Sequence, residues 1–306
     1  PGAHEGKGLG NQFLDELTSA DVILNVVDAS GGTNEEGEPV EVGEYDPVED
    51  VHFIETEMDM WIAGIVERNW ESIERQSRSP EFDFEETLTK TLTGVGASEH
   101  DVAAILREFE YDSDPMAWDD DDREALARRL RERTKPIVVV ANKADVAPPG
   151  NVDRLRKAAD RVVPCTAEGE LALRGAAEAG VVEYDPGDED FAITGDVSDA
   201  QRDGLDRIRS VLDAWDGTGV QTALNEAVYD VLDRITVYPV QNETRWTDGQ
   251  GTVLPDAFLL PNGSTPKDLA FAVHSDIGEG YLHAVDAREN RRIGESHELV
   301  EGDVIK

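Results

Sequence analysis

The chain has 306 residues, 67 acidic against 28 basic, a net charge of −39 and a pI near 4.3. That length allows two or three domains with ample core, and acid spread evenly between intact apolar runs excludes a disordered acidic tail. The single Cys165 excludes an intrachain disulfide and a cysteine zinc site, and no apolar run reaches transmembrane length.

Only seven of the basic residues are lysines, and 27 residues are glycine. An entirely acidic surface with little lysine suits a high-salt cytoplasm, where screening relieves self-repulsion. A cationic partner is the alternative. The charge gives no support for nucleic acid, yet in molar salt it does not exclude RNA. The opening Pro1-Gly2-Ala3-His4 has the character of a loop interior and no initiator methionine, so the chain is expected to be the remainder of a longer protein.

Glycines 2, 6, 8 and 10 predict a pliant loop, followed by helix-like spacing at Phe13, Leu14 and Leu17. Val22 to Ala29 reads as a fully buried strand. Loop, helix and strand together form one unit of a doubly wound sheet. Polar, turn-rich sequence fills 31–47. A long helix is then predicted from about Pro47 to Ser77, with a seam of Ile54, Met58, Trp61, Ile65, Trp70 and Ile73 that requires a partner helix. Candidates are Ser98 to Glu110, capped by Ser98 with Asp101 and facing inward at Val102, Ile105, Leu106 and Phe109, and Asp119 to Arg133. Trp61 and Trp70 read as core, with base-stacking platforms as the alternative. Because buried strands resume afterwards, the segment reads as an inserted helical hairpin.

The run Lys135-Pro136-Ile137-Val138-Val139-Val140-Ala141-Asn142-Lys143-Ala144-Asp145 predicts a buried parallel strand with polar residues at its carboxyl end. Open α/β sheets bind ligands at that end. The chemistry suits guanine. Asp145 can accept both N–H groups of the N1/N2 edge, Asn142 can donate toward O6/N7, and the Lys143 stem can cover the ring while its ammonium stays wet. The competing reading makes these residues turn formers in a solvated strand-to-helix connection. A short helix at Val152 to Ala159 comes next, then a third short strand that starts at Arg161 and ends in Thr166-Ala167. That end, with Glu168 after it, is placed where backbone N–H groups would meet the guanine O6. Cys165 has no histidine near it in sequence and reads as structural. Helices are predicted at 168–179, 198–216 and 220–235.

The remaining residues form a separate small unit. Strands are predicted at 235–240 and 258–260, a turn at 261–264, and a helix from Thr265 (N-cap, with Pro266 at the first position) to about Gly278. Strands return at 281–285 and near Val304, giving a mixed sheet that grips one helix.

Taken in order, Gly2-Ala3-His4-Glu5-Gly6-Lys7-Gly8-Leu9-Gly10-Asn11, Asn142-Lys143-Ala144-Asp145, Thr166-Ala167-Glu168 and Thr265-Pro266-Lys267-Asp268-Leu269-Ala270 resemble the Obg-like YchF family of GTPases. The first segment resembles the stretch just downstream of that family's third GTPase motif. The second and third resemble its fourth and fifth motifs, and the last resembles the helix start of its C-terminal TGS domain. The resemblance covers essentially the whole chain and implies an α/β fold: an incomplete P-loop GTPase sheet, a helical coiled-coil-like insertion and a ubiquitin-like β-grasp domain. It divides the chain into a GTPase domain at 1–33 and 135–235, a helical insertion at 34–134 and a TGS domain at 236–306.

The same resemblance implies a cytoplasmic, translation-associated GTPase of archaeal halophilic type. It would couple hydrolysis of GTP, with ATP as the alternative nucleotide, to ribosome binding, with tRNA or rRNA as further partners and Mg²⁺ in the intact protein. Asn142, Lys143, Asp145, Thr166, Ala167 and Glu168 are the implied nucleotide-binding residues. His4, in a glycine-flanked switch loop, is the candidate catalytic residue that orients water. The phosphate-cradling loop, the switch-I threonine and the third-motif aspartate would lie upstream of Pro1, so this chain is expected to hydrolyse nothing unaided. Many YchF-like relatives carry Glu where Asp145 stands and prefer ATP, so Asp145 implies guanine. A DRG-type GTPase with a TGS domain and a non-enzymatic RNA or ribosome adaptor are the alternatives. The insertion of about a hundred residues favours YchF over DRG.

Overall fold

A computed structural model describes residue 17, residues 19–108 and residues 111–306. His4, Phe13, Leu14 and Phe109 lie outside the described residues. The chain divides into two compact units, Pro1–Leu224 and Asn225–Lys306.

In the first unit, β1 (Ile23–Asp28), β2 (Ile137–Asn142) and β3 (Val162–Pro164) form a parallel sheet in that order. Asp28 stands in register with Asn142, and Ala141 with Pro164, so all three carboxyl ends meet at one edge. Val138, Val139, Val140 and Ala141 are buried, as a β-branched strand covered on both faces should be. β1 departs from its expected full burial. Ile23 and Val27 are buried, but Leu24 is 36% and Val26 62% exposed. Among the described residues β1 is an end strand, and only one of its faces is covered.

Between β1 and β2 stand four helices among the described residues: α1 (Val48–Gln76), α2 (Phe84–Leu92), α3 (Glu99–Glu108) and α4 (Asp120–Thr134). The insertion is therefore more than a hairpin. α2 escaped the sequence reading although Asp83 caps it through the Glu86 N–H and Leu88 and Leu92 repeat at helical spacing. The caps at Ser98 with Asp101 and at Asp119 with Asp122 form as reciprocal boxes. The buried stripe of α1 runs through Val51, Ile54, Met58, Ile62, Val66, Trp70 and Ile73, so Trp61 and Ile65 are only partly covered. Steps of four drift about 40° each around a helix. The early residues consequently join cores with the sheet, and those from Ile62 onward join the core of the insertion.

α1 packs along α4, tied there by Arg131 Nε to Asp59 at 2.7 Å. Trp70 is 3% exposed, edge-on to Phe84 and tilted on Trp118 at 5.3 Å between centroids. It is core and cannot stack a base.

After β2 come α5 (Asn151–Ala158), β3, α6 (Ala167–Glu178), a two-stranded ribbon of β4 (Val182–Glu183) and β5 (Ala192–Ile193), α7 (Asp199–Trp215) and α8 (Val220–Asn225). The expected helix at 220–235 ends early. It widens into a π-turn at Glu226–Val231, and Asp233 takes a positive φ of 47° before the next strand begins at Arg234.

The second unit is a mixed five-stranded sheet built from β6 (Arg234–Pro239), β7 (Phe258–Pro261), β8 (Ala284–Asp286), β9 (Arg291–Ile293) and β10 (Asp303–Ile305), ordered β7-β6-β10-β8-β9. Central β6 and β10 run parallel and the other pairings are antiparallel. The helix over the sheet is capped by Thr265, as expected, with Asp268 completing a reciprocal box, but it breaks at extended His274 into α9 (Pro266–Val273) and α10 (Ser275–Glu279). Leu269 packs with Val237, Leu260, Leu299 and Ile305 in the core of this β-grasp fold.

Candidate nucleotide-base site

The site lies at the carboxyl edge of β2. Lys143 leaves the strand with φ 58° and ψ 31°, a left-handed conformation that costs a non-glycine residue about 1–2 kcal/mol. The kink starts a 3-10 turn, Ala144–Val146, that exposes Asp145 while Ala144 is buried and its N–H donates to the Cys165 carbonyl at 3.0 Å. The Lys143 ammonium is not simply solvated. It reaches across the edge to Asp28 Oδ2 at 2.7 Å and lies 3.4 Å from Thr33 Oγ1, so its stem bridges the ends of β2 and β1. Asp28 also accepts from the Ser30 N–H (3.0 Å), the Ser30 hydroxyl (2.5 Å) and the Thr33 hydroxyl (2.7 Å). Burial pushes the Asp28 carboxyl up, but the hydrogen bonds from Lys143, Ser30 and Thr33 outweigh it and hold the pKa below the ordinary carboxylate value.

Thr166 caps α6 by accepting the Gly169 N–H, and the Ala167 N–H donates to Asn142 Oδ1 at 3.0 Å. The fifth-motif turn is thus fastened to the tip of β2. It also means that the Ala167 N–H, expected to face the guanine O6, is already committed. Among the described contacts the Glu168 N–H, one residue further into the first turn, remains available, as first-turn donors generally do. Asp145, Thr166 and Glu168 line one cavity of about 540 Å³ that extends between α6 and α7. Asn142, Lys143, Asp145 and the 166–168 turn are therefore brought together.

Cys165 is buried, and burial together with the nearby Glu170 and Asp145 carboxylates pushes its thiol to about 11, so it is structural. Among the described residues no group of three or more His, Cys, Asp or Glu side chains could hold a metal ion.

Residues 140–242 match the family described as "Obg-like GTPase YGR210-like, G4 motif-containing domain", and residues 250–306 match the TGS domain. A GTP-binding protein of Methanocaldococcus jannaschii is 43% identical over 309 residues, which cover all of this chain and 77% of that protein. This chain belongs to the Obg-like, YchF-type GTP-binding proteins with a C-terminal TGS domain. The crystal structure of a GTP-binding protein from Pyrococcus horikoshii OT3 superposes on this Obg-like chain with a TM-score of 0.76 at 39% identity, covering 96% of this chain and 80% of that one. The ribosome-binding ATPase YchF of Bacillus subtilis is 24% identical over 316 residues, 99% of this chain and 77% of that protein.

Sequence reasoning missed a buried polar cluster directly behind the base-side turn. Glu170 on α6 is 5% exposed and accepts from Thr218 Oγ1 (2.5 Å), Tyr184 Oη (2.6 Å) and Arg174 Nε (2.6 Å). Those three donors overcome the upward push of burial and hold the Glu170 carboxyl below its ordinary value. The signal was present as Asp216-Gly217-Thr218-Gly219, a glycine-rich junction between two helices that the sequence reading passed over.

Proposed function

We propose that this Obg-like chain is the base-recognising part of a translation-associated GTPase. The carrying observation is the convergence of Asn142, Lys143, Asp145 and the 166–168 turn at one sheet edge. In this reading Asp145 accepts from the guanine N1 and N2 hydrogens, the Asn142 amide nitrogen donates to the O6/N7 edge, and the Lys143 stem lies along the ring. Glu168 contributes its N–H at O6. The GTPase domain comprises 1–33 and 135–235, the helical insertion 34–134 and the TGS domain 236–306.

The phosphate loop and Mg²⁺-holding groups are proposed to come from residues outside these 306, and His4 to orient the attacking water. The half-exposed apolar face of β1 at Leu24 and Val26 supports a larger sheet. Ribosome binding is taken from what the Bacillus relative is named for, and tRNA or rRNA is proposed as a further contact. The acidic composition supports work in a high-salt cytoplasm. Competition of GTP and ATP for the full-length protein tests the nucleotide assignment. GTP should win, and tighter ATP binding would overturn it.

A further inference from the structure

We infer that Thr218, held by buried Glu170, is a positioning residue that fixes the orientation of the Asn142 amide toward the purine. The inference rests on the base-site reading above and deepens it. Asn142 has two faces that look alike in shape and differ in chemistry: a carbonyl oxygen that only accepts and an NH₂ that only donates. A backbone N–H can only donate, so the Ala167 N–H must meet the oxygen, and the NH₂ is turned the other way. Among the described contacts nothing takes that NH₂. The position of Ala167 therefore decides whether the strand tip offers a donor or an acceptor to the ring.

Ala167 is placed from behind by one short loop. The carbonyl of Thr218 accepts the Thr166 N–H at 2.8 Å, while its hydroxyl donates to Glu170 at 2.5 Å. Thr218 is 3% exposed, so neither bond has water to replace it. The loop has little freedom to shift. Asp216, Gly217 and Gly219 all have positive φ, at 55°, 134° and 83°. A Cβ at Gly219 would fall 1.9 Å from the Pro164 carbonyl oxygen and 2.8 Å from the Cys165 Cα, so the loop lies backbone to backbone on the exit of β3. The order of dependence runs from Glu170 to Thr218, to the 166–167 backbone, and then to the Asn142 amide. Tyr184 and Arg174 occupy further acceptor positions of Glu170 and keep its carboxylate in one rotamer.

The test compares affinities of the full-length protein for GTP, 7-deaza-GTP, which lacks the N7 acceptor, and ITP, which lacks the 2-amino group that Asp145 accepts. The wild type should lose roughly five- to tenfold on 7-deaza-GTP, the size of one hydrogen bond, and a comparable or larger factor on ITP. Thr218→Val removes the hydroxyl but keeps the volume. It should bring the 7-deaza-GTP ratio close to one and leave the ITP ratio at the wild-type value. Thr218→Ser should restore both. Where Thr218→Val does not fold, Glu170→Gln carries the same comparison, keeping volume and one acceptor while losing the charge. An unchanged 7-deaza-GTP ratio in the folded variant overturns the inference, as does a wild type that discriminates ITP but not 7-deaza-GTP; in both cases the base site stands. A wild type indifferent to both analogues overturns the base site and this inference with it.

Discussion

Replacing Asp28 with Asn tests the bridge across the sheet edge. The substitution keeps the shape and one acceptor, removes the charge, and points an NH₂ at a position where the Lys143 ammonium and Thr33 hydroxyl both donate at 2.7 Å. Asp28 is 11% exposed at its side chain but Lys143 is 48% exposed, so the pair lies between a surface ion pair of at most about 1 kcal/mol and a buried one of about 3–5 kcal/mol. We expect a local loss of about 1–2 kcal/mol, since Thr33 can rotate its hydroxyl and Lys143 can move into water. Hydrogen exchange of the 28–34 backbone is the suitable assay, because it reads the sheet edge itself rather than the unfolding of a chain that divides into two units. Exchange there should quicken roughly five- to thirtyfold at about pH 7. The sign with pH is set by the lowered carboxyl. Its stabilisation is fully present above the ordinary carboxylate pKa and is lost only as pH falls through the lower folded value. The difference between wild type and variant should hold steady down to about pH 4 and narrow only below that. Unchanged exchange at neutral pH, or a difference already fading between about pH 6 and 5, would refute the reasoning.

Gly219→Ala should destabilise the first unit by about 3 kcal/mol or more in urea unfolding, since it combines a strained φ with a clash against backbone that cannot rotate away. Leu130→Ala, in the fully buried core between the inserted helices, should cost about 2–5 kcal/mol and lower the stability of the insertion without altering the pairing of β1 with β2. Cys165 should resist iodoacetamide in the native protein at about pH 8, where a thiol pushed up to about 11 is roughly 0.1% thiolate, and react fully in denaturant. Rapid native alkylation would show that β3 opens readily. Raising KCl from about 0.1 M to 2 M should raise the unfolding temperature, because screening relieves the repulsion of a chain at −39. A flat response would count against the high-salt reading.

The sheet was legible because Val138, Val139 and Val140 carry a strand signal that no helix shares, and because Asn142 to Asp145 end it with side chains suited to one kind of ligand. Ser98 with Asp101 and Thr265 with Pro266 mark helix starts for the same local reason. What failed depended on partners far away in sequence. The buried stripe of α1 changes face because two cores claim one helix, and a single seam through Trp61 and Ile65 could not express that. The extended residue at His274 and the π-turn and positive φ that end the helix before Asp233 have no Gly or Pro to mark them in the sequence. The ion pair of Lys143 is not legible in the sequence because its partner, Asp28, lies 115 residues away. Glu170 was invisible for the same reason: its donors Tyr184 and Thr218 lie 14 and 48 residues away, and only the fold makes them a cluster.

The most direct measurement is the affinity of the full-length protein and its Asp145→Asn variant for GTP and for XTP, in which the 2-amino group is replaced by an oxygen. An Asn side chain there offers a donor to that oxygen and loses the charge that receives the guanine N–H pair. The account predicts that GTP affinity falls about a hundredfold or more and that XTP becomes the better ligand. A variant that binds GTP as tightly as the wild type would contradict it.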